Sequence, residues 1–378
     1  MNQAPITILQ VGTSRFLQAH VDLFLDQAQK QGQDVGSVAI LQTSDRDDGR
    51  RRVHAFNQRP SFPVVIQGIE HGKTVDVNYD VSIVAQGFAA ADPDDWRQTL
   101  ALMRQQIRYV VSNTADKGYE TFPDDRLTNT APRSFPAKLT ALLRERFQHS
   151  GDPLTILPCE LIPNNAQLLK RLVLQIATDW QLPSDFSDWL NAKVVWANTL
   201  VDRIVSQAIE PIGAVAEPYA LWAIEQTPGL KPPCEHPAIE VVPSLDVFER
   251  LKLGVLNLSH TFLVEKWLRD ARPAQIVTVL DAINDPGYAA ALADVLQTEV
   301  IPVLERQLPG VAVADYAATV QERFRNPFLK HRLDAIADNH DEKLKRRILP
   351  VWEASRQLFP DRPTHALDLA LRRSALPK

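Results

Sequence analysis

Apolar residues follow two rhythms along this 378-residue chain. In the first part, short and nearly continuous runs of branched and aromatic residues at 6–11, 37–43, 63–67, 108–112, 154–158 and 193–196 alternate with amphipathic stretches. A strand buried on both faces is apolar throughout, and a helix must cross over between parallel neighbours. The alternation therefore predicts an α/β domain of the Rossmann-like, doubly wound kind. Beyond about residue 236 the apolar positions recur every third or fourth residue, in 245–268, 288–304, 316–324 and 342–357, which predicts a mainly α-helical second domain. Between the two lies the proline-rich stretch 227–237, TPGLKPPCEHP. Proline fixes φ and removes a backbone donor, so the boundary is drawn there, giving domains 1–236 and 237–378.

The length exceeds what one core ordinarily supports, which agrees with two domains. A net charge of -5 and a pI near 6.0 leave no basic surplus to neutralise a phosphate backbone, so the expected partners are small molecules and not nucleic acid. Cys159 and Cys234 are distant in sequence and lack a CxxC partner, which points away from a disulfide framework or a thiolate metal site. No metal is expected. The chain enters a strand-like run soon after Met1 and has no apolar stretch of membrane-spanning length, so a cytoplasmic protein without a membrane partner is expected.

Candidate chemistry begins at the first turn. Gly12 ends the first apolar run, and Gly12-Thr13-Ser14-Arg15-Phe16 leads into a helical pattern. A strand, a tight turn and a helix start would place free N–H groups where a pyrophosphate can sit. Only the first glycine of GxGxxG is present, so a glycine serving the turn alone fits equally well. The second run ends at Asp45 and Arg46, followed by Arg50, Arg51 and Arg52. An acid in that place suits the ribose hydroxyls of NAD, whereas an arginine suits the extra phosphate of NADP, and a solvated loop needs neither. The preference here is for NAD(H), with NADP(H) left open.

The segment 248–260, FERLKLGVLNLSH, is more informative. At about 100° per residue, Glu249, Lys252, Asn257 and His260 share an arc of roughly 140° on a helix that is otherwise oily. Buried ionisable groups are costly unless paired or used. A lysine desolvated in this way can exchange a proton with a carbonyl oxygen, and an asparagine amide can steady the resulting alkoxide. The spacing also fits an ordinary (i, i+3) pair between Glu249 and Lys252 with satisfied polar neighbours.

The lysine, the asparagine five residues later and the histidine three beyond resemble the active-site helix of the polyol-specific long-chain dehydrogenases, the mannitol dehydrogenase family, which also includes reductases of fructuronate and tagaturonate. Thr199-Leu200-Val201-Asp202-Arg203-Ile204 resembles that family's VDRI signature, and Pro158-Cys159-Glu160-Leu161-Ile162-Pro163-Asn164-Asn165 resembles the stretch supplying a second asparagine. Ser112-Asn113-Thr114, Ser134-Phe135-Pro136-Ala137-Lys138-Leu139, Glu217-Pro218-Tyr219 and 343–350 are most similar to the tagaturonate branch. The resemblance covers nearly the whole chain. It implies a metal-independent dehydrogenase in which Lys252 is the general acid/base, Asn165 and Asn257 polarise the carbonyl, His260 positions the substrate, Glu249 relays protons and Asp202 lies near the substrate. Gly12, Thr13, Ser14, Phe16, Asp45 and Asn113 are the positions expected to meet the cofactor. The first turn has fewer glycines than the family usually shows, and the chain is shorter than a typical tagaturonate reductase.

A sugar-acid carboxylate needs a cationic partner, and Lys343 and Arg347, spaced (i, i+4), are the candidates, though such a charge run also suits a solvated helix face. Tyr119 and Lys117, after the fourth apolar run, are weaker candidates near a nicotinamide. The expected substrate is a small keto sugar acid or polyol. Three rivals stay open: a neutral ketose, a phosphorylated polyol, and a nucleotide-binding protein without turnover.

Overall fold

The computed structural model describes residues 4–114 and 116–372, with side chains for all of these but 116 and 117. Contacts divide the chain into two compact units, one of residues 1–66, 77–216 and 220–245, the other of 67–76, 217–219 and 246–378.

Among the described residues thirteen strands run in chain order: β1 Ile6–Val11, β2 Ser37–Gln42, β3 Phe62–Glu70, β4 Lys73–Val81, β5 Val84–Ala89, β6 Tyr109–Ser112, β7 Leu154–Pro158, β8 Val194–Trp196, β9 Thr199–Asp202, β10 Val205–Ala208, β11 Ala214–Ala216, β12 Leu221–Glu225 and β13 Ile239–Val242. Six of them form a parallel sheet in the order β5-β2-β1-β6-β7-β8. This is the doubly wound arrangement, and the order reverses direction between β1 and β6, where ligands of such sheets bind beyond the carboxyl ends of the strands. β1, β2 and β7 are buried along nearly their whole length, as their apolar runs require. The run at 63–67 belongs elsewhere. It lies in β3, in a second sheet ordered β10-β11-β3-β4, and its alternation of buried and half-buried positions is that of a strand with one face in the core. Its expected place in the parallel sheet is taken by β5, whose Gln86 and Gly87 interrupt the apolar pattern. A third sheet, β13-β12-β9, completes the first unit.

The second unit is helical around one core that includes Val255, Phe262, Leu292, Val303, Val320 and Ile348. Three of its long apolar segments each contain a wide π turn, at Lys252–Asn257, Leu296–Val300 and Leu344–Ile348. These segments were expected as plain α-helices. A π turn inserts a residue without changing which residues are apolar, so the periodicity conceals it, and such turns occur disproportionately at functional sites.

Candidate active site

In the first unit, β1 runs into Gly12 at φ 114°, in the left-handed range that favours glycine. A Cβ there would lie 2.6 Å from the Asn113 carbonyl oxygen, so the turn after β1 is pressed against the residue that follows β6. Ser14 caps the short helix Arg15–Gln18 by accepting from the Leu17 N–H, and Thr13 Oγ1 accepts from Arg52 Nε at 3.1 Å. The Phe16 ring stacks on His20 with centroids 4.7 Å apart, placing it in a buried aromatic group. Asp45 follows β2, is exposed and pairs with Arg50. These positions surround the switch point, and the tight backbone approach at Gly12 fits a dinucleotide fold.

Further along the same edge, polar side chains are committed to the main chain. Asn113 Nδ2 donates to the Cys159 carbonyl at 2.9 Å. Asn165 Nδ2 donates to the carbonyls of Pro158, Glu160 and Thr199 at 3.0, 3.1 and 2.9 Å, and its Oδ1 accepts from the N–H groups of Ala166 and Thr199. An amide has two N–H bonds, so Asn165 has none to spare. Asp202 is buried at the end of β9. Tyr119 is buried and donates to Glu160 at 3.2 Å, while the side chain of Lys117 lies outside the described residues.

In the second unit, Glu249 lies within a short α-helical stretch, Asp246–Leu251, and Lys252 opens the π turn that Asn257 closes. This revises the angular relation expected from the sequence. Residues five apart in an α-helix are displaced by about 140°, whereas a turn closing i to i+5 brings them toward one face. Lys252 and Asn257 are such a pair. Gly254, inside the turn, allows close packing: a Cβ there would be 3.0 Å from Leu304.

His260 follows in the α-helix Leu258–Arg269 and is buried. Burial holds its pKa well below the ordinary value, and nearby His331, Arg323 and Arg347 lower it further. The ring is therefore neutral at neutral pH. It bonds to the Leu256 main chain, and its Nε2 is buried with no protein partner.

His331, Phe324 and Arg323 surround this imidazole. The His331 ring stands edge-on to it at 4.7 Å and the Phe324 ring lies 4.4 Å away. Arg323 forms a two-pronged ion pair with Glu217, at 3.0 and 2.7 Å, with its guanidinium 4.1 Å above the Tyr219 ring. Glu217 falls in a segment with family resemblance, but nothing in the sequence showed that it pairs with Arg323, 106 positions away. Arg347 Nη1 donates to Thr261 Oγ1 at 3.2 Å and reaches the Asn257 carbonyl at 3.5 Å. Lys343 instead turns to the Ile336 carbonyl at 2.8 Å. Thus Arg347, Asn257 and His260 are brought together, and Lys343 is directed elsewhere. Among the described residues, no group of three or more His, Cys, Asp or Glu is placed to hold a metal ion, and no helix is long and apolar enough to cross a membrane.

The family model for the mannitol dehydrogenase Rossmann domain matches residues 6–235, and that for the mannitol dehydrogenase C-terminal domain matches 244–358. The chain belongs to the mannitol dehydrogenase family. Among its relatives, an altronate oxidoreductase of Bacillus subtilis is 30% identical over 92% of this chain and 75% of the relative. An altronate oxidoreductase of Klebsiella pneumoniae is 32% identical over 97% of this chain and 79% of the relative. Solved structures of the same fold include a substrate-free D-sorbitol dehydrogenase, with a TM-score of 0.82 and 19% identity, covering 98% of this chain and 81% of that one. Another is the mannitol 2-dehydrogenase of Pseudomonas fluorescens in ternary complex with NAD and D-mannitol, with a TM-score of 0.75 and 20% identity, covering 97% and 78%. Membership makes this chain an oxidoreductase acting at a CH–OH group.

Proposed function

We propose that this chain is an NAD(H)-dependent, metal-independent dehydrogenase that interconverts a keto sugar acid of the tagaturonate or fructuronate type and the corresponding aldonate. Residues 1–236 hold the dinucleotide, through Gly12, Thr13, Ser14, Phe16, Asp45 and Asn113, and residues 237–378 carry the substrate chemistry. The names of the altronate oxidoreductase relatives support a sugar acid, and the NAD complex of the related mannitol 2-dehydrogenase supports the cofactor.

The observation that carries the substrate class is Arg347. Its half-buried guanidinium has no carboxylate partner among the described residues, and it stands at Asn257 and Thr261, within electrostatic reach of His260. A cation kept partly out of water without a counter-ion suits a substrate that brings one. Burial and the neighbouring Arg346 both work against its charge, which a bound carboxylate would offset.

The dinucleotide, when bound, exchanges a hydride with the substrate carbon. Lys252 gives its proton to the carbonyl oxygen during reduction and takes it back from the hydroxyl during oxidation. The Asn257 amide, brought toward the same face by the π turn, donates to that oxygen as it gains alkoxide character. His260, neutral and with Nε2 unengaged, accepts a substrate hydroxyl. Glu249 exchanges the Lys252 proton with solvent, and Asp202 holds a second hydroxyl. Lys343 adds positive field near Arg347. Asn165 acts by fixing the backbone at the sheet edge, because its side-chain bonds are spent there.

The test is loss of NADH absorbance with tagaturonate, fructuronate, fructose and fructose 6-phosphate, with NADPH in parallel and the Arg347→Met variant alongside. Turnover on a uronate is expected, with KM raised about 10- to 100-fold in the variant, the value of one charge-assisted hydrogen bond. Turnover confined to fructose, with Arg347→Met behaving as the parent, would overturn the carboxylate assignment.

A further inference from the structure

Glu160 lies just beyond β7 and is 3% exposed. Four donors converge on its carboxylate. Oε1 accepts from the Thr114 N–H and the Thr114 hydroxyl, both at 2.9 Å, and Oε2 accepts from Ser112 Oγ at 2.9 Å and the Tyr119 hydroxyl at 3.2 Å. All four come from the end of β6 and the residues after it, across the gap between neighbouring strands. Gly118 makes room for one of them, since a Cβ there would lie 1.9 Å from Thr114 Oγ1. Beside this cluster Asn113 is tied to the Cys159 carbonyl and pressed on Gly12, so the end of β6 is fixed on both sides.

A buried carboxylate is an expensive way to join two strands that the sheet already joins. Burial pushes its carboxyl upward, and the hydrogen bonds from Thr114 and Ser112 oppose that in part by stabilising the anion. The segment it anchors begins at the switch point between β1 and β6, where a dinucleotide crosses the carboxyl edge of such a sheet. Nothing in the proposed mechanism uses Glu160, and none of its hydrogen bonds requires a proton to move.

We propose that Glu160 is a positioning residue for the cofactor: by gathering Ser112, Thr114 and Tyr119 it sets the end of β6, with Asn113, in the geometry that receives the dinucleotide. The inference rests on the dinucleotide reading above. It concerns affinity for the cofactor, not the chemical step, and glutamine is the conservative replacement, because hydroxyl groups such as Ser112 and Tyr119 can rotate to accept from its amide while Thr114 keeps donating to its oxygen.

The experiment measures NADH affinity by fluorescence titration, together with steady-state kcat and KM for NADH and thermal melting, on the full chain. Glu160→Ala is expected to weaken NADH binding by about tenfold or more while kcat at saturating NADH stays within about threefold, and Glu160→Gln is expected to recover most of the affinity. Tyr119→Phe removes one of the four donors and is expected to weaken binding about two- to fivefold, which keeps the test decisive if Glu160→Ala does not fold. NADH affinity unchanged in Tyr119→Phe and Glu160→Ala, with only the melting temperature lowered, would reduce Glu160 to a fold-stabilising residue and overturn the inference. Failure of the parent protein to bind NADH at all would overturn the dinucleotide reading first and the inference with it.

Discussion

Asn165 and His260 are both buried polar side chains in segments with strong family resemblance, yet their hydrogen bonds are distributed in opposite ways. Asn165 spends its whole amide on five main-chain groups around β7, β9 and the helix Asn165–Asp179. His260 keeps a buried Nε2 without a protein partner, beside a His331 whose Nδ1 is likewise unengaged and an Arg347 with no acidic partner among the described residues. A saturated network fixes a backbone, whereas polar atoms left over inside a fold are a debt that a ligand can settle. Around β7 and β9 the sheet edge thus serves as a rigid frame, whereas His260 and His331 in the second unit keep ring nitrogens that a ligand can engage.

The contrast predicts different penalties in the two regions. The largest concerns the Glu217–Arg323 pair, whose side chains are 1% and 3% exposed. Removing Glu217 as Glu217→Ala takes the carboxylate away from a buried guanidinium and is expected to cost about 3–5 kcal/mol in urea unfolding. A loss below about 1 kcal/mol would mean that Arg323 finds another partner. Next, Asn165→Ala leaves main-chain groups at the sheet edge unsatisfied and is expected to cost about 2–3 kcal/mol. If that variant instead kept its stability and lost only turnover, Asn165 would be acting on the carbonyl directly and the frame would be less rigid than its bonds indicate.

A smaller effect follows from acid. His20 is fully buried, its Nε2 bonded to the Leu221 carbonyl, and burial lowers its pKa from 6.5 to about 3. The unfolded chain takes up a proton below about pH 6.5 that the folded chain refuses until about pH 3. Stability is therefore full above the unfolded pKa and falls as pH drops, by about 1.4 kcal/mol per pH unit from this group. Replacing it, as His20→Gln, is expected to remove that share of the slope in unfolding measured between pH 6.5 and 4.5. An unchanged slope would assign acid lability to other groups, such as the half-buried His236 and the buried His260, whose pKa values are also lowered.

Much of this division is legible in the sequence itself. The runs at 6–11, 37–43, 108–112, 154–158 and 193–196 mark five strands of the parallel sheet because such strands are apolar on both faces. β5 escaped because Gln86 and Gly87 break its run, and 63–67 was assigned to that sheet because short apolar runs do not reveal their neighbours. The lysine helix was visible as a polar stripe, but a widened turn preserves the identity of the apolar residues, so the approach of Lys252 and Asn257 to one face emerged only with the backbone. Pairings distant in sequence, such as Glu217 with Arg323 or Glu160 with Ser112, leave no periodic trace.

In the proposed function the wide-turn helix carries the proton chemistry while the sheet edge holds the cofactor. This assignment is tested most directly by single-turnover hydride transfer from bound NADH to a uronate in the parent protein and in Lys252→Ala, with NADH affinity measured on the same samples. Unchanged NADH affinity is expected, with transfer slowed by about 10²- to 10⁴-fold, the usual contribution of a general acid. Transfer within about threefold of the parent in Lys252→Ala would contradict it and remove the lysine from the mechanism.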